Sequence, residues 1–286
     1  MVSGGIEDNR ADTNEFFAGK QAWSAAMHAA GMVTNTFELR DDEEQNMLTP
    51  GGFCLAVKNS LETRAAGLNL FAVVCSSWTF LNRGTSGRDP LRPLGNQGLA
   101  YVREANVMVA RVVMLIRLAV GCQQACIVEN PLSTLVHYHP RFQELLRDLI
   151  VFRAVVNLGD FGGPTKKPII LFCTEAWIEE MKRCDKLQTT ERAHTTTVVY
   201  HDATGKKRPD LKVSQEYPRY FGECMAKLYL KHRGTMIANA RVGVERPQNQ
   251  QQDVDVQSVI QQNFIGKAAW ADARLQSAIT MLVGLN

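Results

Sequence analysis

Short apolar runs of strand length alternate along this chain with segments of helical spacing, and no other feature limits the fold as strongly. Alternation of this kind is typical of a sheet that helices cover on both faces. The sequence therefore predicts an α/β fold with a mostly parallel sheet flanked by helices. The predicted strands are 15–17, 33–38, 68–74, 127–129, 152–158 and 169–172, and the predicted helices are 21–30, 49–64, 101–120 and 141–150.

Length and composition favour one main domain. The chain has 286 residues, of which 45% are hydrophobic and 21% charged, which is enough for a single well-buried core. Beyond Cys184 the periodic signal weakens, and a polar, glutamine-rich stretch indicates a linker. The predicted division has three parts: a flexible N-terminus at 1–13, an α/β domain at 14–233, and a polar linker with a C-terminal helix at 234–286. The domain includes a predicted hairpin at 194–207 and an amphipathic helix at 217–232. In the last part the glutamines lie at 248–252 and the helix at 266–283.

Cysteine usage and hydropathy predict a soluble intracellular protein, cytoplasmic or nuclear. The seven cysteines are odd in number and follow no repeated spacing, which favours reduced thiols. The first 13 residues are polar and acidic, unlike a secretory or transit peptide. The most apolar stretch, 105–120, contains Arg111 and Arg117 and is shorter than the roughly 20 residues of a membrane span.

The first two predicted strands end at residues suited to binding a nucleotide-like ligand. Phe17, Ala18 and Gly19 follow the first strand, and a glycine there lets the backbone approach a ligand closely. Glu38 ends the second strand, where an acid can accept hydrogen bonds from ribose hydroxyls. Two plainer interpretations stay open: Gly19 as a turn residue, and Glu38 as the start of a solvated acidic loop that runs to Glu44.

The next two predicted strands end at a thiol and a carboxyl group. Cys75 ends the third strand, and Glu129 ends the fourth, followed by Asn130 and Pro131. Carboxyl ends of parallel strands meet at one edge of the sheet, so the pair forms a candidate nucleophile and proton donor. A buried free cysteine and an Asn-Pro turn are the alternatives.

Taken together, these motifs resemble those of the cytosine carbon-5 methyltransferases. That family carries a Phe-x-Gly turn, an acid after strand two, a Pro-Cys dipeptide and then a Glu-Asn-Val or Glu-Asn-Pro motif. The resemblance extends from about residue 15 to residue 180 and implies a Rossmann-like S-adenosylmethionine methyltransferase fold in a short, divergent member without a target-recognition domain. The similar segments are 15–19, Glu38, 74–78 and 128–131.

The resemblance implies a cofactor site and a mechanism. S-adenosylmethionine would contact Phe17, Ala18, Gly19 and Glu38, with Asn46 at the place of an acid that touches adenine in the family. Cys75 would add to carbon 6 of cytosine while Glu129, followed by Asn130, hydrogen-bonds ring nitrogen 3, and carbon 5 would take the methyl group. Three departures stand out: Gln21 replaces a glycine, Val74 replaces the proline before the cysteine, and a Gly-Asn-Ser-Val motif is absent.

Nucleic acid, DNA more than RNA, is the partner that the resemblance implies. The net charge of +3 and the pI near 8.5 permit a polyanionic partner without requiring one. The long loop at 76–97 combines arginines with aromatic residues, which suits phosphate contact and base stacking, although a solvated loop explains it equally well. The predicted contacts are Arg83, Arg88, Lys166 and Lys167, and Arg83, Arg88 or Arg92 is predicted to lower the pKa of Cys75.

Two other function classes stay open. One is a catalytically inactive binding module that keeps the fold, and the other is an S-adenosylmethionine enzyme with a different acceptor. Cys122, Cys126, His137 and His139 do not have the spacing of a standard zinc site, so no metal is expected. The sequence does not indicate an oligomeric state.

Overall fold

A computed structural model describes residues 10–187, 199–201, 206–209 and 216–244. Short 3-10 helices connect several of its elements, at Glu43–Gln45, Phe80–Asn82, Val136–Tyr138, Leu158–Phe161 and Ala176–Arg183. The strands are β1 Ala11–Phe16, β2 Thr34–Phe37, β3 Thr63–Phe71, β4 Ala125–Pro131, β5 Phe152–Asn157, β6 Pro168–Cys173, β7 Val199–His201 and β8 Lys207–Pro209; the helices are α1 Ala22–Ala29, α2 Pro50–Leu61, α3 Arg83–Ser86, α4 Ala100–Gly121, α5 Pro140–Asp148 and α6 Arg219–Val244.

Within the described residues the main sheet has six strands, in the order β2-β1-β3-β4-β6-β5. The pairs β1–β2, β1–β3 and β3–β4 are parallel, whereas β6 is antiparallel to both β4 and β5. Because α1 leads to one side of β1 and α2 leads to the other, the strand order reverses between β1 and β3. A crevice for ligands opens at such a point in a Rossmann-like sheet. The predicted α/β fold with a mostly parallel sheet is confirmed.

Helices cover both faces of the sheet. Side chains alternate along each strand, so Leu70 faces one hydrophobic cluster and Phe71 faces the other. The first cluster packs under α1 and α6 and includes Trp23 and Phe221. The second packs under α2, α4 and α5 and includes Ile116. Burial on both sides explains why the strands read as apolar runs rather than as alternating patterns.

Local signals in the sequence start and end the helices. Thr49 caps α2, because its hydroxyl accepts a hydrogen bond from the Gly52 amide at 3.0 Å, and Pro50 occupies the first turn. Gly31 follows α1 with φ of +83°, a left-handed conformation that favours glycine. Helix α1 therefore begins and ends within one residue of its predicted limits, whereas α2 begins one residue after its predicted start and ends three residues before its predicted end.

The predicted domain limits differ from the element limits at both ends. β1 begins at Ala11, and residues 11–13 are buried in the sheet. Helix α6 continues past residue 233 to Val244, so the limit predicted there falls inside a helix. The predicted hairpin corresponds to β7 and β8, which pair antiparallel. The glutamine-rich stretch at 248–252 and the predicted helix at 266–283 lie outside the described residues.

Helix α6 runs along the sheet from the carboxyl ends of the strands to their amino ends. Gly222 packs so closely on α1 that a Cβ there would lie 2.8 Å from the Ala26 methyl group. Twelve positions after Tyr217, the hydroxyl of Tyr229 donates a hydrogen bond to the Ala66 carbonyl at 2.9 Å. Arg233 then pairs with Asp12 on β1. These contacts hold α6 against the sheet along its described side chains.

No helix in the described part of the chain is long and apolar enough to cross a membrane.

Candidate functional site

The turn after β1 is shaped for close approach of a ligand. Phe17, Gly19 and Gln21 all have positive φ, at 62°, 55° and 56°. A Cβ at Gly19 would meet nothing within 4 Å, so the space above the turn is open. The Gln21 side chain donates to an Asp41 carboxylate oxygen at 2.6 Å. Ala18 is buried beneath the turn and Phe17 is half-buried.

Glu38 connects the ends of β1 and β2. Its Oε2 accepts a hydrogen bond from the Gly19 amide at 2.9 Å, and its Oε1 accepts one from the Arg40 amide at 3.1 Å. A carboxylate has about four acceptor positions, so two of them are left for hydroxyl groups of a ligand. The structure thus places Gly19 and Glu38 side by side, as the nucleotide-site prediction requires.

Asn46 shapes the turn before α2. Its Oδ1 accepts from the Leu48 amide at 2.9 Å, and its carbonyl oxygen accepts from the Thr49 amide and hydroxyl, both at 3.0 Å. A Cβ at position 52 would lie 2.1 Å from the Asn46 carbonyl oxygen, so Gly52 is required there. These contacts show Asn46 as a turn residue, and its role toward adenine stays a prediction.

Cys75 lies four residues after β3, at the start of a turn. Its carbonyl oxygen accepts hydrogen bonds from the Trp78 amide at 2.8 Å and the Thr79 amide at 3.1 Å. Burial raises the pKa of the half-buried thiol, the charge of Glu129 raises it further, and the ammonium group of Lys167 lowers it. The cation beside the thiol is therefore Lys167, and the prediction that arginines of the following loop lower this pKa is wrong.

Glu129 is the buried carboxyl group next to the thiol. The residue is 7% exposed, and burial raises its pKa, while Lys167 and a hydrogen bond lower it. The hydrogen bond comes from the Tyr217 hydroxyl, which donates to Glu129 Oε2 at 2.8 Å. Glu129 Oε1 has no hydrogen-bond partner among the described residues. A buried acid with one unpaired oxygen is a candidate proton donor.

Tyr217 was missing from the sequence prediction because it lies 88 positions from Glu129. Burial raises the pKa of Tyr217 well above its ordinary value, and Glu129, Glu15 and Cys75 raise it further. The phenol is therefore close to all three groups and stays protonated. An aromatic residue just before a helix gives no local signal for such a position.

Glu15 is a second buried carboxyl group at this end of the sheet. The residue is fully buried, and burial raises its pKa to about 7. Its Oε2 accepts from the amide and hydroxyl of Ser24, at 2.9 and 2.5 Å, in the first turn of α1. Glu15 Oε1 lacks a partner among the described residues. Glu15 was not among the predicted site residues, although an acid inside a buried strand is itself a signal.

Asn130 shapes the chain after β4 rather than facing the thiol. Its side-chain amide donates to the Glu129 carbonyl oxygen, and its Oδ1 accepts from the Thr134 hydroxyl at 2.9 Å. Asn130 is fully buried. These bonds fix the backbone that carries Glu129, and a catalytic role of Asn130 stays a prediction.

The two lysines of the 158–167 loop differ in position. The loop closes when the Leu158 amide donates to the Lys167 carbonyl oxygen at 3.1 Å. Lys166 is exposed, whereas Lys167 is half-buried and lies close enough to lower the pKa values of both Cys75 and Glu129. Lys167 therefore belongs to the candidate site, and contact of either lysine with nucleic acid stays a prediction.

The two predicted arginine contacts also differ. Arg83 is exposed and lies over the half-exposed ring of Phe80, with Cζ 4.0 Å from the ring centroid. Arg88 is 1% exposed and stacks on buried Trp78 at 3.5 Å. Its guanidinium donates to four acceptors within the fold, so a phosphate cannot reach it, and its assignment as a nucleic-acid contact is corrected to a structural role. The four acceptors are Pro93 O, Asn106 Oδ1, Ser77 Oγ and Val102 O.

No group of three or more His, Cys, Asp or Glu side chains is placed to hold a metal ion within the described ranges.

A distant likeness is found among solved structures. The crystal structure of S. pombe Dnmt2 methyltransferase is similar to this chain with a TM-score of 0.37 and 10% sequence identity over 63% of the chain. The match spans 56% of the length of that protein. No protein-family model and no curated protein matches the sequence. The function is therefore argued from the residues of the site.

Proposed function

We propose that this protein transfers a methyl group from S-adenosylmethionine to carbon 5 of cytosine in nucleic acid. The observation that carries the proposal is the position of Cys75, four residues after β3, and of Glu129, near the carboxyl end of β4, since these two strands are neighbours in the sheet. The open turn at Gly19 ends β1, the next strand along. A nucleophile, an acid and a ligand turn therefore share one edge.

The residues present fit S-adenosylmethionine on the β1 side of this edge. The open space above Gly19 allows the ligand to approach the backbone, and Glu38 keeps acceptor positions for ribose hydroxyls. Gln21 replaces a glycine of the related motif. Its side chain donates a hydrogen bond to Asp41 and leaves the hydrogen bond between the Gly19 amide and Glu38 undisturbed. When bound, the cofactor supplies an electrophilic methyl group on a sulfonium.

The chemistry of the chain's own residues follows from these positions. The Cys75 thiolate forms a bond to carbon 6 of the ring, and the electrons of the carbon 5–carbon 6 double bond move toward carbon 5 and the ring. Glu129 assists by hydrogen bonding to ring nitrogen 3, where negative charge develops. Methyl transfer to carbon 5 would leave the cofactor as a neutral thioether. A water molecule would then accept the carbon 5 proton, the carbon 5–carbon 6 double bond would form again and the Cys75 thiolate would leave.

The pKa directions bear on this mechanism in opposite ways. A raised pKa keeps Glu129 protonated over a wider pH range, as a hydrogen-bond donor to ring nitrogen 3 requires. A raised pKa of Cys75 keeps the thiol protonated, so reaction needs a higher pH or the help of Lys167. We therefore propose that Lys167 pairs with the thiolate once it forms.

Covalent trapping tests the proposal. With S-adenosylmethionine present, an oligonucleotide that contains 5-fluorocytosine is expected to form a stable adduct, because fluorine at carbon 5 cannot leave as a proton does. Denaturing electrophoresis and mass spectrometry detect the adduct on the wild-type protein. Cys75→Ser is expected to abolish it, whereas Cys54→Ser, at another half-buried free cysteine, is expected to retain it. An adduct on Cys75→Ser would show that Cys75 is not the nucleophile.

A non-catalytic binding module of the same fold is the second candidate. The raised pKa of Cys75 favours it, as does the use of Glu38 to hold the Gly19 amide. In that case wild-type protein binds an oligonucleotide, forms no adduct with the fluorinated one at any pH, and binds equally well after Cys75→Ser. Fluorescence anisotropy with the same oligonucleotide makes this comparison.

A further inference from the structure

The two oxygens of the Glu129 carboxyl group have different surroundings. Oε2 accepts the hydrogen bond of the Tyr217 hydroxyl at 2.8 Å. Oε1 is buried and has no hydrogen-bond partner among the described residues. A buried polar atom without a partner is costly in a folded protein, so a site that keeps one suggests a ligand that completes it.

The tyrosine is held firmly in this position. Its ring packs against Phe221 with centroids 5.3 Å apart, and Phe221 is fully buried in the first turn of α6. The close fit of Gly222 on α1 fixes the same turn against the sheet. The position of the tyrosine oxygen is therefore set by the packing at the start of α6 on α1, and its O–H then donates to Glu129.

A protonated carboxyl group carries its proton on one oxygen, and Tyr217 decides which. An oxygen that accepts the phenol O–H acts as the carbonyl oxygen of the acid, so the acid's own proton belongs on the other oxygen. We propose that Tyr217 is a positioning residue that places the proton of Glu129 on Oε1 and directs it at an acceptor nitrogen of a flat heterocyclic substrate. This inference rests on the proposed function for the identity of the substrate, but not for the position of the proton.

The groups around Glu129 act on its proton in opposite directions, and burial, which raises its pKa, is the largest of these effects. Lys167, Cys75 and Tyr217 face it, and Glu15 lies near the same phenol. Burial keeps the phenol protonated, so it remains a donor over the whole working range of pH. The ammonium group of Lys167 is the cation that favours the charged form of Glu129.

Infrared difference spectroscopy of the full chain tests the proposal without substrate. The carbonyl stretch of protonated Glu129, assigned by its loss in Glu129→Gln, is expected to move to higher frequency in Tyr217→Phe, because its oxygen loses a hydrogen bond. The pKa of Glu129 is expected to rise by about one unit, since the lost bond also stabilises the carboxylate. An unchanged frequency and an unchanged titration would overturn the proposal.

Tyr229→Phe is the matched control. It also removes a buried phenol hydrogen bond of α6, to the Ala66 carbonyl at 2.9 Å, but at the other end of the sheet. It is expected to leave the Glu129 band and its titration unchanged. A shift of the band in Tyr229→Phe as large as in Tyr217→Phe would also overturn the proposal, because it would mean that general loosening of α6 moves Glu129.

Adduct formation separates this inference from the proposed function. In Tyr217→Phe the rate of trapping is expected to fall about tenfold, as for other residues that orient a reacting group. If wild-type protein shows no trapping while the Glu129 band still shifts in Tyr217→Phe, the proposed function fails and the position of the proton stands. If wild-type protein is trapped and the Glu129 band does not shift in Tyr217→Phe, the proposed function stands and the proposed position of the proton fails.

Discussion

Strand β1 carries a buried acid at each end, and the two acids have opposite surroundings. Asp12, at the amino end, is 4% exposed and pairs with Arg64 at 3.3 Å and with Arg233 of α6. Glu15, at the carboxyl end, is fully buried and has only the hydrogen bonds of Ser24 on one oxygen, within the described residues. Burial raises the pKa of Glu15 to about 7.

The same contrast extends to the neighbouring strands. Between the two ends, the Asn14 side-chain amide donates to Asn69 and the Asn69 amide donates to Gln124, both at 2.9 Å, although Asn14 Oδ1 has no partner among the described residues. At the carboxyl end, Glu129 has an unpaired carboxyl oxygen, as Glu15 does. Polar groups satisfied by one another stabilise a fold, whereas buried acids left partly unsatisfied are typical of sites that bind or react. Among the buried acids of the sheet, Asp12 at the amino end is therefore paired with arginines, whereas Glu15 and Glu129 toward the carboxyl end each keep one unpaired oxygen.

Replacing Asp12 by alanine is expected to have the largest effect on stability. The change leaves two arginines without their shared carboxylate, and breaking a buried pair from one side costs about 3 kcal/mol or more. The side chains of Arg64 and Arg233 are 27% and 23% exposed, so hydration keeps the loss near the lower end of that range. Urea unfolding measures it.

Asp148→Ala is the control for that experiment. Asp148 pairs with Arg117 at the surface, with 51% of the aspartate side chain exposed, and such pairs contribute less than about 1 kcal/mol. If Asp12→Ala and Asp148→Ala reduced the free energy of unfolding equally, the buried pairs of Asp12 would stabilise the protein no more than a surface pair does.

Glu15→Gln is expected to stabilise the protein, but only at higher pH. The pKa of Glu15 is about 7 in the folded protein and about 4.5 in the unfolded chain, so as the pH rises the carboxyl group ionises first in the unfolded chain. The cost to the folded state therefore grows from pH 4.5 to pH 7 and is constant above. Glutamine removes that cost while it still accepts from Ser24, so the gain is about 2 kcal/mol at pH 8 and small near pH 5. Urea unfolding at both pH values measures this gain in the free energy of unfolding. An equal gain at both would show that Glu15 does not titrate as described.

Tyr229→Phe is expected to have the smallest of the three effects. The variant loses one buried hydrogen bond, to the Ala66 carbonyl, which corresponds to about 1 kcal/mol. Thermal unfolding measures the loss, and Tyr101→Phe, at a residue that is 42% exposed, is the control. If Tyr229→Phe reduced trapping as strongly as Tyr217→Phe, the two ends of α6 would not have the separate roles described.

Much of the candidate site could be predicted because its residues follow strands. Gly19, Glu38, Cys75 and Glu129 all lie at or just after strand ends, and parallel strands bring such positions to one edge. Arg88 was placed wrongly because an arginine in a polar loop has the same local sequence whether it faces solvent or stacks on a buried tryptophan.

The sequence by itself determined which main elements form, because hydrophobic period, helix caps and turn residues act over a few neighbouring positions. The Thr49–Pro50 signal leads to the start of α2, whereas the strand predicted at 68–74 is observed as β3 at Thr63–Phe71. Only the tertiary structure decided that β6 lies antiparallel between β4 and β5, that Lys167 is the cation beside Cys75, and that Tyr217 meets Glu129. Those contacts join residues far apart in the chain, and they follow from how helices and strands pack together, which no local pattern contains.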